Sequence, residues 1–134
     1  MNLDKQIKLL NMIQQFSTSI EEDRLYRIGS VDHEIHIIKS SYYDHVVFRL
    51  KNISIDDSFR TMMIIYYRPQ QNKLDFKSIY GTILSLPNIT SIIQDYKQMD
   101  INQFILAYSR DLFNINDYSL EIVSNLLKNY NVSR

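Results

Sequence analysis

The sequence predicts an α+β domain: an N-terminal helix, a four-stranded antiparallel β-meander, then three to four C-terminal helices packed on the sheet. Three observations carry this. Apolar residues recur at spacings of three and four before residue 20 and again after residue 75, the period of a helix with one buried stripe. Between residues 24 and 68 they alternate instead. Within that stretch, Thr61-Met-Met-Ile-Ile-Tyr-Tyr-Arg68 holds the longest apolar run, uncharged up to its closing arginine. β-Branched and aromatic residues dominate its second half and Pro69 ends it, as for an interior strand apolar on both faces. Strands and helices that segregate along the chain indicate α+β rather than alternating α/β. At 134 residues the chain reads as a single domain spanning 1–134, with 1–20 helical, 24–68 the sheet and 75–131 the helical half.

Taken in order, Leu3, Ile7, Leu10, Ile13, Phe16 and Ile20 form the first stripe. The Ser17-Thr18-Ser19 run and the acidic Glu21-Glu22-Asp23 that follows predict an end near Phe16. Arg24–Ser30, Glu34–Ser40, His45–Ile53 and Phe59–Arg68 read as strands. The turns between them are centred on Gly29–Asp32, Ser41–Asp44 and Asp56–Ser58. A turn centred on Tyr42 would set His36 opposite Phe48 and place His36 and His45 on opposite faces; a one-residue slip reverses that. Phe76, Ile79, Tyr80, Ile83 and Leu84 fit a helix with Asp75 as its N-cap, against the cost of Gly81 inside it. Further stripes are Ile89–Tyr96, Ile101–Leu112 after an Asp100 cap, and Leu120–Tyr130. The third strand carries Arg49 and Lys51 on its second face, so that face of the sheet is expected to be only partly covered.

Composition narrows the function classes. Fifteen basic residues balance fifteen acidic ones, which argues against a chain built chiefly to grip nucleic acid or anionic lipid. There is no Cys, hence no disulfide, thiolate nucleophile or zinc–thiolate site. No apolar run reaches the roughly 18 residues of a membrane span, and the N-terminus lacks a signal-peptide pattern, so a cytoplasmic protein is expected. The 20 Ile, 11 Asn and 10 Tyr against a single Ala follow AT-rich codons and point to an AT-rich genome, such as that of a low-GC bacterium, its phages or plasmids, or some protists and viruses.

The candidate chemistry is sparse. His33, His36 and His45 with Asp32, Glu34 and Asp44 could serve a metal or acid–base site only if they converge. Partly exposed strand residues are the blander reading. Ser40 and Ser41 beside Asp44 and His45 lack a nucleophile elbow. The two glycines, Gly29 and Gly81, are too far apart for a phosphate loop. No cofactor is expected.

The favoured reading is a small cytosolic, non-enzymatic module that binds a protein or a second copy of itself, of the inhibitor, immunity or phage-encoded host-modulator kind. The broad apolar face of the last helix, with Tyr118, Ile122, Leu126 and Tyr130, is its candidate interface. Met62, Met63, Tyr66 and Tyr67 between Arg60 and Arg68 would make an adhesive sheet face. The runner-up is a nucleic-acid-binding module using Arg49, Lys51, Arg60, Tyr66, Tyr67 and Lys73 of the basic 49–77 segment. An enzyme whose site is assembled only by the fold is the third reading.

Overall fold

A computed structural model describes residues 2–53, 60–78, 81–112 and 118–130, with the side chains of residues 60, 82 and 83 left aside. Helix α1, Leu3–Ser19, starts where the Asn2 side chain accepts a hydrogen bond from the Lys5 N–H. It runs three residues past the expected end at Phe16. The hydroxyls of Ser17, Thr18 and Ser19 turn back onto the carbonyls of Ile13 and Gln15, so they do not compete for the helix backbone. Lys39 Nζ donates to the Ser17 carbonyl at 3.2 Å, placing a cation at the helix C-terminus, where the dipole favours one.

The sheet differs from expectation. It is an α+β fold with one antiparallel meander, but the meander has six strands where four were expected. These are β1 (Leu25–Gly29), β2 (His33–Lys39), β3 (Val46–Asn52), β4 (Arg60–Arg68), β5 (Lys73–Ser78) and β6 (Gly81–Leu86), in that spatial order. The helix expected at residues 75–84 is instead the β5–β6 hairpin, so the helical half begins at Ile89. Phe76, Ile79, Tyr80, Ile83 and Leu84 fit a period of 3.6, but Leu74 with Phe76 and Leu84 with Leu86 fit a period of two, and an exposed sheet edge at β4 rewards the latter with backbone pairing. Gly81 sits at φ 119°, outside any helix. Asp75, expected as an N-cap, lies mid-strand.

Alternation sets the two faces. Tyr26, Ile28, Ile35, Ile37, Val46, Phe48, Leu50, Met63, Ile65, Tyr67, Leu74, Phe76 and Leu86 point inward and are buried. The β3–β4 register shifts between Leu50 and Lys51, with Met62 as the extra residue on β4. The Asp56–Ser58 turn lies outside the described residues. Helices α2 (Ile89–Gln98), α3 (Ile101–Leu112) and α4 (Tyr118–Asn129) join α1 against the inner face. Helix α4 packs on β1 and β2, α1 on β4, and α3 on β6. Tyr108 donates its hydroxyl to Asp95. That bond, with burial, pushes its pKa up to about 12 and ties α3 to α2. None of the described helices is long and apolar enough to cross a membrane.

A polar clasp closes the end of the sheet. Asn72, in the left-handed region at φ 55°, accepts from the Thr90 N–H at 3.0 Å and donates to Thr90 Oγ1, which also receives Gln14 of α1 at 2.6 Å. One side chain thus ties the β4–β5 turn, α2 and α1 together. Asn72→Ala is expected to lower stability by about 2–3 kcal/mol, combining lost hydrogen bonds of about 1 kcal/mol each with the poorer tolerance of Ala than of Asn for the left-handed region. Asn72→Gly recovers the strain, so it should lie about 1 kcal/mol above Ala in urea melts.

Candidate functional site

With every described helix on the inner side, no second layer covers the outer face of the sheet among the described residues. The register turns it into cross-strand rows. One runs Leu25, Ile38, Val47, Tyr66, Asp75 and Ser85 from β1 to β6. Its first four members are apolar or aromatic and cross four adjacent strands, a stripe of about 14 Å at 4.8 Å per strand. Leu25 and Ile38 remain 45 % and 37 % exposed, and Val47 and Tyr66 are half-buried. The next row runs Arg27, His36, Arg49, Ile64 and Lys77. Beyond it lie Glu34, Lys51 and Thr61. On the far side of the apolar row, Arg68 pairs with Lys73.

Charge is therefore segregated. The outer face carries Arg27, Arg49, Lys51, Arg68, Lys73 and Lys77 against Glu34 and Asp75. In a chain with fifteen of each sign, the remainder holds four more acids than bases. The two outer carboxylates are already engaged. Glu34 holds His36, and Asp75 accepts from Arg68 at 2.7 Å and from Ser85. Among the described residues Arg27 and Arg49 meet no carboxylate within ion-pair distance. Tyr66 sits at the junction of the apolar and basic rows. Lys77 Nζ lies 4.9 Å from its ring centroid, and the His45 ring meets its edge at 5.3 Å, with Tyr43 stacked on His45.

Asp75 is the electrostatic pivot of this face. Burial disfavours its charge, the largest single influence, yet the hydrogen bonds from Ser85 and Arg68, with Lys73 nearby, outweigh it and hold its pKa below the ordinary 3.8. A depressed carboxylate stabilises the fold above its unfolded pKa, and the contribution is lost as pH falls through the folded value. Asp75→Asn should thus cost about 1–3 kcal/mol near neutrality, and the gap from wild type should close below about pH 4. Thermal melts across pH check this. A gap that is constant down to acid pH would show that the carboxylate charge has no part in it.

The candidate residues distribute unevenly. Of the nucleic-acid set, Arg49, Lys51, Tyr66 and Lys73 share the outer face; Tyr67 points inward and is buried; the Arg60 side chain lies outside the described residues. Of the last-helix set, Leu126 is buried, Ile122 is half-buried against the core, and Tyr130 packs on Phe16 with ring centroids 5.6 Å apart. Tyr118 alone of the four is open, at 70 % exposure. His36 pairs with Arg49, one residue from the expected partner Phe48, so His36 and His45 share the outer face instead of opposing it. His33 is the first residue of β2, with its ring against Tyr118. The histidines do not meet, and among the described residues no cluster of three or more His, Asp or Glu could hold a metal. Ser40 and Ser41 are used in the turn: Ser40 Oγ accepts from the Tyr42 N–H, and the Ser41 N–H donates to Asp23. A cleft between α1 and α4 is lined by two ion pairs, Lys5 with Glu121 and Lys8 with Asp4, and by Lys128.

Sequence reading missed Leu25, Arg27, Ile38, Val47 and Lys77 as members of one surface. Each is ordinary in its own strand, and only the register makes them neighbours. No family model matches this chain, no curated protein matches it, and no solved structure matches it.

Proposed function

We propose that this chain is a protein-binding module whose working surface is the outer face of its sheet. The observation that carries this is the Leu25–Ile38–Val47–Tyr66 row, an apolar stripe across four strands that no described helix covers, bordered by arginines. Contiguous exposed apolar surface of this kind is what soluble domains reserve for partners. Aliphatic, Tyr and Arg side chains together have the composition of an interface core and its rim. The last helix is the weaker surface, because Leu126 and most of Tyr130 are spent on the core. The inhibitor, immunity or host-modulator class remains the fitting description of such a module.

The test is affinity purification from cells carrying the gene, with partners identified for wild type, Ile38→Asp and Tyr118→Ser in parallel. Ile38→Asp should abolish the principal partner and Tyr118→Ser should retain it. The reverse pattern would move the interface to α4, and retention by both would remove the sheet face from consideration.

A second reading, nucleic-acid binding, is favoured by one observation: the overall charge neutrality that spoke against it conceals a segregated basic face. On this reading, labelled single-stranded RNA should be retarded at low salt, with the effect lost in Arg49→Ala/Lys73→Ala. No retardation at protein concentrations on the order of tens of micromolar, where even non-specific binders shift, would dismiss it.

A further inference from the structure

We infer that the partner of the sheet face is an acidic polypeptide segment that brings its own apolar side chains to the centre of the contact. This rests on the protein-binding reading above and adds the chemistry of what is bound. The argument is charge complementarity across a patterned surface. Arg27, Arg49 and Lys77 occupy alternate strands β1, β3 and β5 of one row, immediately beside the apolar row. Adjacent strands lie about 4.8 Å apart, so these cations recur at about 10 Å across the face. Arg27 and Arg49 meet no carboxylate among the described residues, and Lys77 lies over the Tyr66 ring. A partner that covers the apolar row must bury the edge of this cationic row. Desolvating it is tolerable only if carboxylates arrive with the partner.

The same pattern weighs against the other occupants. A second copy docked face to face would set two cationic rows against each other, each with only two carboxylates that are already engaged. Single-stranded nucleic acid would satisfy the cations, but it needs flat platforms for its bases. Three of the four positions in the stripe are aliphatic, Leu25, Ile38 and Val47, and Lys77 sits over the one central ring. Branched aliphatic surface packs best on other side chains.

The experiment selects from a random peptide library displayed on phage against the immobilised full chain. Enriched peptides are then synthesised and their binding is measured by fluorescence anisotropy. Three proteins are compared: wild type, the triple variant Arg27→Gln/Arg49→Gln/Lys77→Gln, and Ile38→Asp. Far-UV circular dichroism and melting confirm that each is folded, and the double variant Arg27→Gln/Arg49→Gln replaces the triple if the latter is not. The expected result is peptides rich in Asp and Glu with interspersed aliphatic or aromatic residues. Their affinity should fall about tenfold or more in the charge variant, fall with added salt, and be lost in Ile38→Asp. Peptides that are neutral or basic yet depend on Ile38 would overturn the acidic assignment and leave the sheet-face reading intact. Peptides indifferent to every variant, or no enrichment at all, would overturn both. A labelled oligouridine that binds wild type more tightly than any selected peptide, and loses that binding in the charge variant, would assign the face to nucleic acid and overturn the inference.

Discussion

Replacing Phe48 by Ala is expected to cost about 3–5 kcal/mol, a large part of the roughly 5–15 kcal/mol that holds a domain of this size together. Phe48 has no exposed surface and stands mid-strand on β3, between Ile37 of β2 and Ile65 of β4. Its ring meets Phe16 of α1 edge-on at 6.1 Å. The void would therefore open where sheet and helix layer meet, with rigid backbone on both sides and little scope for collapse. Urea denaturation followed by circular dichroism reads the loss directly. On β4, Ile65 should behave like Phe48, because it is inward and buried. Ile64 is half-exposed on the outer face, so Ile64→Ala should fall well short of Ile65→Ala. Equal costs at the two positions would mean that the outer face of the sheet is covered.

Removal of residues 118–134 is expected to unfold the domain. Helix α4 contributes Leu120, Val123, Leu126 and Leu127, all buried, and it closes over β1 and β2. At about 1.5–3 kcal/mol for each buried aliphatic side chain, the loss is on the order of the entire stability. Tyr130 leaves with the helix and exposes the Phe16 ring. The expected record is a loss of the cooperative thermal transition, read by near-UV and far-UV circular dichroism. A truncated chain that keeps a sharp transition would show that α4 is an appendage, and would return it to consideration as a docking helix.

The stripes of α1 and of the last three helices were legible because their spacing was regular, with Asp100 standing ahead of α3. The first four strands were legible from alternation and turn residues. Residues 73–86 were not. Phe76, Ile79, Tyr80, Ile83 and Leu84 offered a helical stripe while Leu74, Phe76, Leu84 and Leu86 offered strand pairs, and a stretch this short takes its conformation from what lies beside it. The edge of β4 offered backbone hydrogen bonds to a hairpin, and Gly81 at its positive φ was the one local sign of it. The His36–Arg49 register was illegible for a related reason. Turn length decides it, and a single residue moves every side chain to the other face.

What the sequence by itself determined is the material: an inward set and an outward set in the first three strands, a stripe in α1 and in each of the last three helices, no thiol chemistry, and equal numbers of opposite charges. What only the tertiary structure decided is where those charges and outward residues meet. Leu25, Ile38, Val47 and Tyr66 are separated along the chain by loops and whole strands, yet they stand in one row because strands pair laterally. Arg27, Arg49 and Lys77 are joined by the same pairing, while most carboxylates fall elsewhere. Net charge is a sum and ignores position, whereas a surface potential depends on distance. A chain that is neutral on paper therefore folds into one with a cationic, apolar-striped face.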